Sequence, residues 1–278
     1  MKIEKYSGRG LSRFRTFHKA AFYAEIASES DIAPAFYAAR MAGKKICALG
    51  GGSNIFFKRT NIASAVLKNA LPASIKELGG DLYEVSSSVG MLKMLEYARG
   101  KGLDCFYYLA SAPCQIGGAI AMNAGSGKKE ALSISDFIES VKFFDGEKFS
   151  VKTKRDIFFD YRNSEFLRKP TFIVSAVFKF PPKNIEGNPV RERLEWAAEH
   201  QDLSLPNCGS MCNKYSAGIL KFARFIFAPA PAGLSKKKLN WAVNKARSPI
   251  WLRALFGFIR ILHAALGKRL KFEIRMFD

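Results

Sequence analysis

A fold of mixed strands and helices in more than one domain is predicted by three observations. Strand-like and helix-like stretches are interspersed along the chain, a triple-glycine run stands between two strand patterns, and the linker-like "PPKNIEGNP" (residues 181–189) marks a boundary near residue 183. "FYAEIA" (residues 22–27) alternates like a strand, and "SESDIAPAFYAARMAG" reads as a helix that Ser30 or Asp31 can cap, with Pro34 in its first turn and Gly43 closing it. "KKICAL" is a strand, and "NIFF" begins another beyond the glycines. "LYEVSS" (residues 82–87) is a strand, followed by the helix "GMLKMLEYARGKG", which Gly100 or Gly102 ends. In "ESVKFFDGEKFSVKT" the Asp145-Gly146 pair predicts a two-residue hairpin turn. "TFIVSAVFKF" (residues 171–180) is a further strand, and Pro189 opens the helix "VRERLEWAAEHQ".

The 278 residues suffice for one large domain or two to three small ones, and 48% hydrophobic content with 24% charged residues is that of a soluble globular chain. Net charge is +20, which favours an anionic partner: a phosphorylated ligand, nucleic acid or an acidic membrane surface. Five cysteines, odd in number and without a zinc-type CxxC pair, point to a reducing, cytoplasmic setting. The N-terminus has no apolar core of signal-peptide type. With only His18, His200 and His263, no histidine metal site or Ser-His-Asp triad is expected. Cys208 and Cys212 read as packing thiols. Residues 248–267 are long and apolar enough to raise a membrane span, but Arg253 and Arg260 fall on one helical face and would be costly inside a bilayer. A core helix is one reading of this segment; a helix at a membrane surface or partner is the other.

The stretch "CALGGGSNIFF" (residues 47–57) asks for bare backbone. A Rossmann fingerprint needs a helix after its glycines, and a P-loop ends in Gly-Lys-Ser/Thr; neither occurs here. A nest of backbone N–H groups from Gly50, Gly51 and Gly52, with donors on Ser53 and Asn54, suits a phosphate; an ordinary hairpin turn is the alternative. A second stretch, "YLASAPCQIGGAIAMNAGSG" (residues 108–127), is read as nonhelical. Its small residues would let backbone approach a large flat ligand closely. Two such stretches suit a dinucleotide held along its length.

In order along the chain, "LGGGSN", "LASAPCQIGGAIAMNAG", "FDYRNSEF" (residues 159–166), "LPNCGSM" (residues 205–211) and "LKFEIRMF" (residues 270–277) resemble the motifs of UDP-N-acetylenolpyruvoylglucosamine reductases, flavoenzymes of peptidoglycan synthesis. The resemblance covers most of the chain. It implies an FAD-binding module of the vanillyl-alcohol-oxidase type in two subdomains (1–64 and 65–182), a smaller α+β substrate domain (183–266) and a final strand (267–278) that returns to the flavin site. It implies FAD held noncovalently by Gly50, Gly51, Gly52, Ser53, Asn54, Ser111, Ala112, Pro113, Gly117, Gly118, Asn123, Ala124 and Gly125, with NADPH as reductant. Arg162 matches the arginine that grips the substrate carboxylate, Glu273 the carboxylic acid that stabilises its enol form, and Ser210 the hydroxyl that protonates the carbanion. Tyr161, Lys214, Lys237 and Asn240 are the implied UDP-sugar contacts. The departures are specific. Phe17 and His18 stand where the family has a glycine pair, Ser111 and Cys114 replace glycines, and the lysine after the serine motif is displaced by one position to Lys214.

Taken singly, an arginine after tyrosine, a serine after glycine and a glutamate near a chain end are ordinary surface or turn residues; their order together carries the assignment. Two alternatives share the cofactor: another FAD-dependent oxidoreductase on the same module, which needs neither Ser210 nor Glu273, and a degenerate FAD-binding paralogue without activity. A nucleic-acid binder would explain the charge, but the basic residues are scattered rather than interleaved with aromatics on one face. The expected protein is a cytoplasmic monomer without metal, drawn loosely to anionic membrane through its C-terminal helix.

Overall fold

The computed structural model describes residues 1–126 and 132–278, so Gly127, the last residue of the second glycine-rich stretch, lies outside the described residues. Two compact units are woven from discontinuous segments. The first holds Met1–Ile3, Tyr23–Gly50 and Val66–Ala197; the second holds Glu4–Phe22, Gly51–Ala65 and Ala198–Asp278.

In the first unit, the end of the strand His18–Ile26 runs parallel to Ala65–Asn69, with Tyr23 opposite Val66 and Ile26 opposite Asn69, and Ile46–Leu49 lies beside the latter strand. Helix α1 (Ile32–Met41) buries Ile32, Ala35, Phe36 and Ala39, the three-to-four spacing of a one-sided apolar stripe. Asp31, one of the two expected residues, occupies its N-cap position, but its side chain turns back to the preceding turn instead of bonding the helix. Ser28 and Asp31 form a reciprocal capping box around a short 3-10 turn, and the Ser28 N–H donates to the Asp31 carboxylate at 2.8 Å. Gly43 follows the helix end in the left-handed region, where a side chain would be strained.

The larger sheet of this unit is antiparallel, in the order Phe149–Thr153, Ile138–Phe144, Phe172–Lys179, Leu82–Ser86, Ile75–Gly79. Helices α2 (Met91–Gly100) and α3 (Ile116–Ala121) share one apolar core with it, including Val85, Met94, Leu95, Ile116, Ile120, Phe178 and Phe180. Two expectations are corrected here. Four residues rather than two close the hairpin, because the Asp145 carboxylate accepts the N–H groups of Glu147 and Lys148, both at 2.9 Å. The second glycine-rich stretch is not wholly nonhelical, since α3 runs through Gly117 and Gly118. Packing overrides poor propensity. A Cβ on Gly117 would lie 2.8 Å from the Ser87 Cβ, so glycine lets the helix sit directly on the Ser87 backbone. Helix α4 (Pro189–His200) begins where Pro189 predicts.

The second unit is built of short strands and two longer helices. Ile55–Phe57 runs parallel to Arg275–Phe277; Asn207–Ser210, Trp241–Asn244 and Ala232–Leu234 form an antiparallel sheet; Cys212–Lys214 pairs with Lys271–Phe272. Helices α5 (Ala217–Ile226) and α6 (Ile250–Ala265) complete a core of Phe14, Phe56, Met211, Leu220, Leu252, Leu255, Phe256 and Ile259. Among the described residues no helix is long and apolar enough to cross a membrane.

His18, in the family's glycine-pair position, is fully buried in this unit. Its Nδ1 lies 2.9 Å from the Arg59 carbonyl, which can only accept, so Nδ1 carries the proton and Nε2 accepts from the Thr16 hydroxyl at 2.7 Å. Burial lowers its pKa against the opposing pull of the Arg59 carbonyl. A depressed folded-state pKa means that the unfolded chain takes up a proton first as pH falls. His18 therefore supports the fold above its unfolded value of about 6.5, and that support fades as pH drops toward the folded value. The melting temperature is expected to decline between neutral pH and pH of about 5, and less steeply in His18→Gln. Equal pH profiles for the two proteins would refute this.

Candidate active site

The glycine turn is clasped by the segment before it. A Cβ on Gly52, whose φ is +67°, would stand 2.5 Å from the Leu11 carbonyl oxygen, and the Arg13 N–H donates to the Gly52 carbonyl at 3.0 Å. Ser12 Oγ donates to the Ile55 carbonyl at 2.6 Å, and the Cys208 thiol sits 3.7 Å from the carbonyls of Gly52 and Ile55. Burial pushes the Cys208 thiol up to about 12, so it is a protonated strut rather than a nucleophile. Ser12 and the bracing role of Cys208 carry no sequence motif.

Asn54, at the end of the turn, ties into the C-terminal segment. Its amide donates to the Glu273 carbonyl at 3.2 Å, and its own carbonyl accepts the Arg275 N–H at 3.0 Å. The Glu273 N–H in turn donates to the Met211 carbonyl at 2.9 Å. Within the second unit, hydrogen bonds thus join the glycine turn, the residue after Ser210, and Glu273, segments far apart in sequence. Ser210 ends its strand opposite Trp241, preceded by Gly209 at φ +71°, and no described residue hydrogen-bonds its hydroxyl. Cys212, two residues on, feels both burial and the Glu273 charge, which push its thiol up to about 12.

Asn240 clamps this segment from the other side. Its Oδ1 accepts the Cys212 N–H at 3.0 Å and its Nδ2 donates to the Cys212 carbonyl at 2.7 Å. Lys214 and Lys237 are exposed. The N–H groups of Lys237 and Lys238 both point at Ser235 Oγ, which donates to Asp202 at 2.6 Å. Burial alone would raise the Asp202 pKa, but hydrogen bonds from Ser204 and Ser235 outweigh it and hold the carboxylate below its usual value. Asp202 belongs to none of the sequence motifs, although "DLS" is the pattern of a carboxylate that turns its own backbone.

In the first unit, Tyr161 and Arg162 are the two central residues of the small hairpin between Phe159–Asp160 and Asn163–Ser164. Arg162 occupies the left-handed region at φ +51°, and its guanidinium donates to the carbonyls of Asn123 at 3.4 Å and Gly125 at 2.6 Å. Its charge is anchored at the end of the second glycine-rich stretch. Asn123 closes α3 in the left-handed region, and its amide bonds the Asp160 carbonyl at 3.1 Å. Along the same stretch, Gln115 Oε1, Tyr108 Oη and Ser126 Oγ are buried without a hydrogen-bond partner among the described residues. Buried polar atoms are rarely left so, and three along one small-residue segment are what a polar ligand there would satisfy. Gly118 is exposed, with open space around its Cβ position. These features fit FAD. Cys114 lies in this stretch too, and burial pushes its thiol up to about 12, which leaves no thiolate for covalent attachment at neutral pH.

Residues 20–148 match the FAD binding domain family. The chain is 29% identical over 244 residues to a UDP-N-acetylenolpyruvoylglucosamine reductase of Aquifex aeolicus, covering 85% of this chain and 81% of that protein. It is 26% identical to one of Geotalea uraniireducens, covering 69% of this chain and 63% of the relative. A crystal structure of the reductase from Thermus caldophilus superposes with a TM-score of 0.73 over the whole of both chains at 19% identity, which establishes the fold. The fold is α+β, and the matched residues define a protein carrying an FAD binding domain. In sequence and in fold, the chain is similar to UDP-N-acetylenolpyruvoylglucosamine reductases.

Proposed function

We propose that this protein reduces UDP-N-acetylenolpyruvoylglucosamine to UDP-N-acetylmuramate with NADPH, supplying a precursor of peptidoglycan. The observation that supports this reading most is the hydrogen-bonded set of the second unit, in which Asn54, Met211 and Glu273 are tied together beside the unbonded hydroxyl of Ser210. Bound FAD would supply hydride transfer between NADPH and the enolpyruvyl group. Gly50, Gly51 and Gly52 carry no side chains of their own, so their backbone N–H groups, with the side chains of Ser53 and Asn54, offer donors to the diphosphate. Ser111, Ala112, Pro113, Gly117, Gly118, Asn123, Ala124 and Gly125 offer low-relief backbone to the rest of the cofactor.

Hydride addition to the enolpyruvyl methylene leaves negative charge on the adjacent carbon and its carboxylate. Arg162, anchored on Asn123 and Gly125, offers a permanent cation to that carboxylate. Glu273 stabilises the enol form, and Ser210 Oγ delivers a proton to the carbon. Tyr161, Lys214 and Lys237 contact the UDP-sugar, and Asn240, through Cys212, also sets the course of the segment from Ser210 to Lys214.

Purified protein is expected to be yellow, and acid precipitation should release all of its flavin to the supernatant as FAD. NADPH should bleach the flavin band without oxygen. Colourless protein that FAD does not reconstitute would overturn the proposal; flavin left in the pellet would overturn noncovalent binding.

A further inference from the structure

Helices α5 and α6 turn apolar side chains outward as well as inward. On α5, Ile219, Leu220 and Ala223 are buried, while Phe222, Phe225 and Ile226 face solvent and Phe225 is 76% exposed. On α6, Leu252, Leu255, Phe256 and Ile259 are buried, yet the opposite arc through Ile250, Ala254, Ile261 and Ala265 carries no charge, and Ile261 is 67% exposed. The Phe258 ring lies 6.0 Å from that of Phe222, so the two outward faces are continuous. His263 fixes the joint, its Nε2 accepting the Ser216 N–H at 2.9 Å. A helix of a soluble surface carries charge on its outward side. A contiguous apolar face left outward marks a place of interaction.

The charges select the partner. Residues 203–272 contain thirteen Lys and Arg residues and no Asp or Glu, more than half of the chain's net +20. Arg253 and Arg260 flank the outward arc of α6, and exposed Lys221 lies beside Phe222 and Phe225. A second copy docking here would bring two such basic surfaces together. We infer that the α5–α6 face docks on an anionic lipid bilayer and lies in its interface. Phe222, Phe225 and Ile261 enter the acyl boundary, and the basic rim meets the lipid phosphates.

The test is cosedimentation of the holoprotein at low salt with vesicles of phosphatidylcholine alone or mixed equally with phosphatidylglycerol. Binding is expected only to the mixed vesicles and is expected to fall steeply with added salt. Phe225→Ser with Ile261→Ser should weaken binding by about tenfold or more, and Lys221→Gln or Arg253→Gln by about fivefold each. All four positions are exposed, so flavin content and melting temperature should be unchanged. The inference is overturned by no binding to mixed vesicles, by equal binding to neutral ones, or by wild-type binding of the apolar double variant. Sedimentation velocity adds one more contrary outcome: a dimer that Phe225→Ser dissociates, without vesicle binding, would assign the face to a second copy.

Discussion

Ser210→Ala is expected to leave FAD content and flavin reduction by NADPH near wild type, and to slow reoxidation by the enolpyruvyl substrate by at least ~100-fold, the scale of a lost general acid. The hydroxyl stands at the end of its strand with no hydrogen-bond partner among the described residues, so its removal leaves no buried group unpaired and should not disturb the fold. Ser210→Cys should retain part of the activity, because a thiol also supplies a proton. Arg162→Lys should weaken the same half-reaction, since an ammonium cannot form the forked contact. Stopped-flow absorbance separates the halves. Wild-type reoxidation in Ser210→Ala, or loss of reduction by NADPH instead, would remove Ser210 from its role.

Gly52→Ala is expected to yield protein that no longer retains FAD on a desalting column. The φ of +67° costs any other residue about 1–3 kcal/mol. The added methyl would also stand 2.5 Å from the Leu11 carbonyl oxygen, a backbone atom held by the Ser12–Ile55 and Arg13–Gly52 bonds. The turn must therefore open, and the donors offered to the diphosphate would diverge. Gly118→Ala is the comparison, because nothing lies within 4 Å of its Cβ position; that variant should fold at least as stably as wild type. Retention of FAD by Gly52→Ala at wild-type affinity would show that the turn does not bear on the cofactor.

The elements legible in the sequence are those with strong local signals. Ile32–Met41, Met91–Gly100 and Pro189–His200 carry helical periodicity with glycine or proline near their ends, and Phe172–Lys179 is a long apolar strand. Local signals fail where distant partners decide. The apolar run of Ile55–Phe57 reads as a strand, but its parallel pairing with Arg275–Phe277, across the length of the chain, is not visible locally. The weaving of Glu4–Phe22 and Gly51–Ala65 into the second unit is equally invisible locally. The glycines of helix α3 argue locally against a helix, yet their value is close approach to Ser87 rather than helix avoidance. The glycine turn and the Arg162, Ser210 and Glu273 motifs are visible as patterns. What surrounds them is not: the bracing by Ser12 and Cys208 and the hold of Asn240 on Cys212 rest on hydrogen bonds that no spacing announces.

The most direct test of the central claim is the wild-type oxidative half-reaction without oxygen. Holoprotein is reduced with one equivalent of NADPH and mixed with UDP-N-acetylenolpyruvoylglucosamine, and the oxidised-flavin band is followed while product is quantified by mass spectrometry. The account predicts return of the band with one UDP-N-acetylmuramate formed per flavin reoxidised. A flavin that stays reduced in the presence of that substrate, yet reoxidises with oxygen or another acceptor, would contradict it.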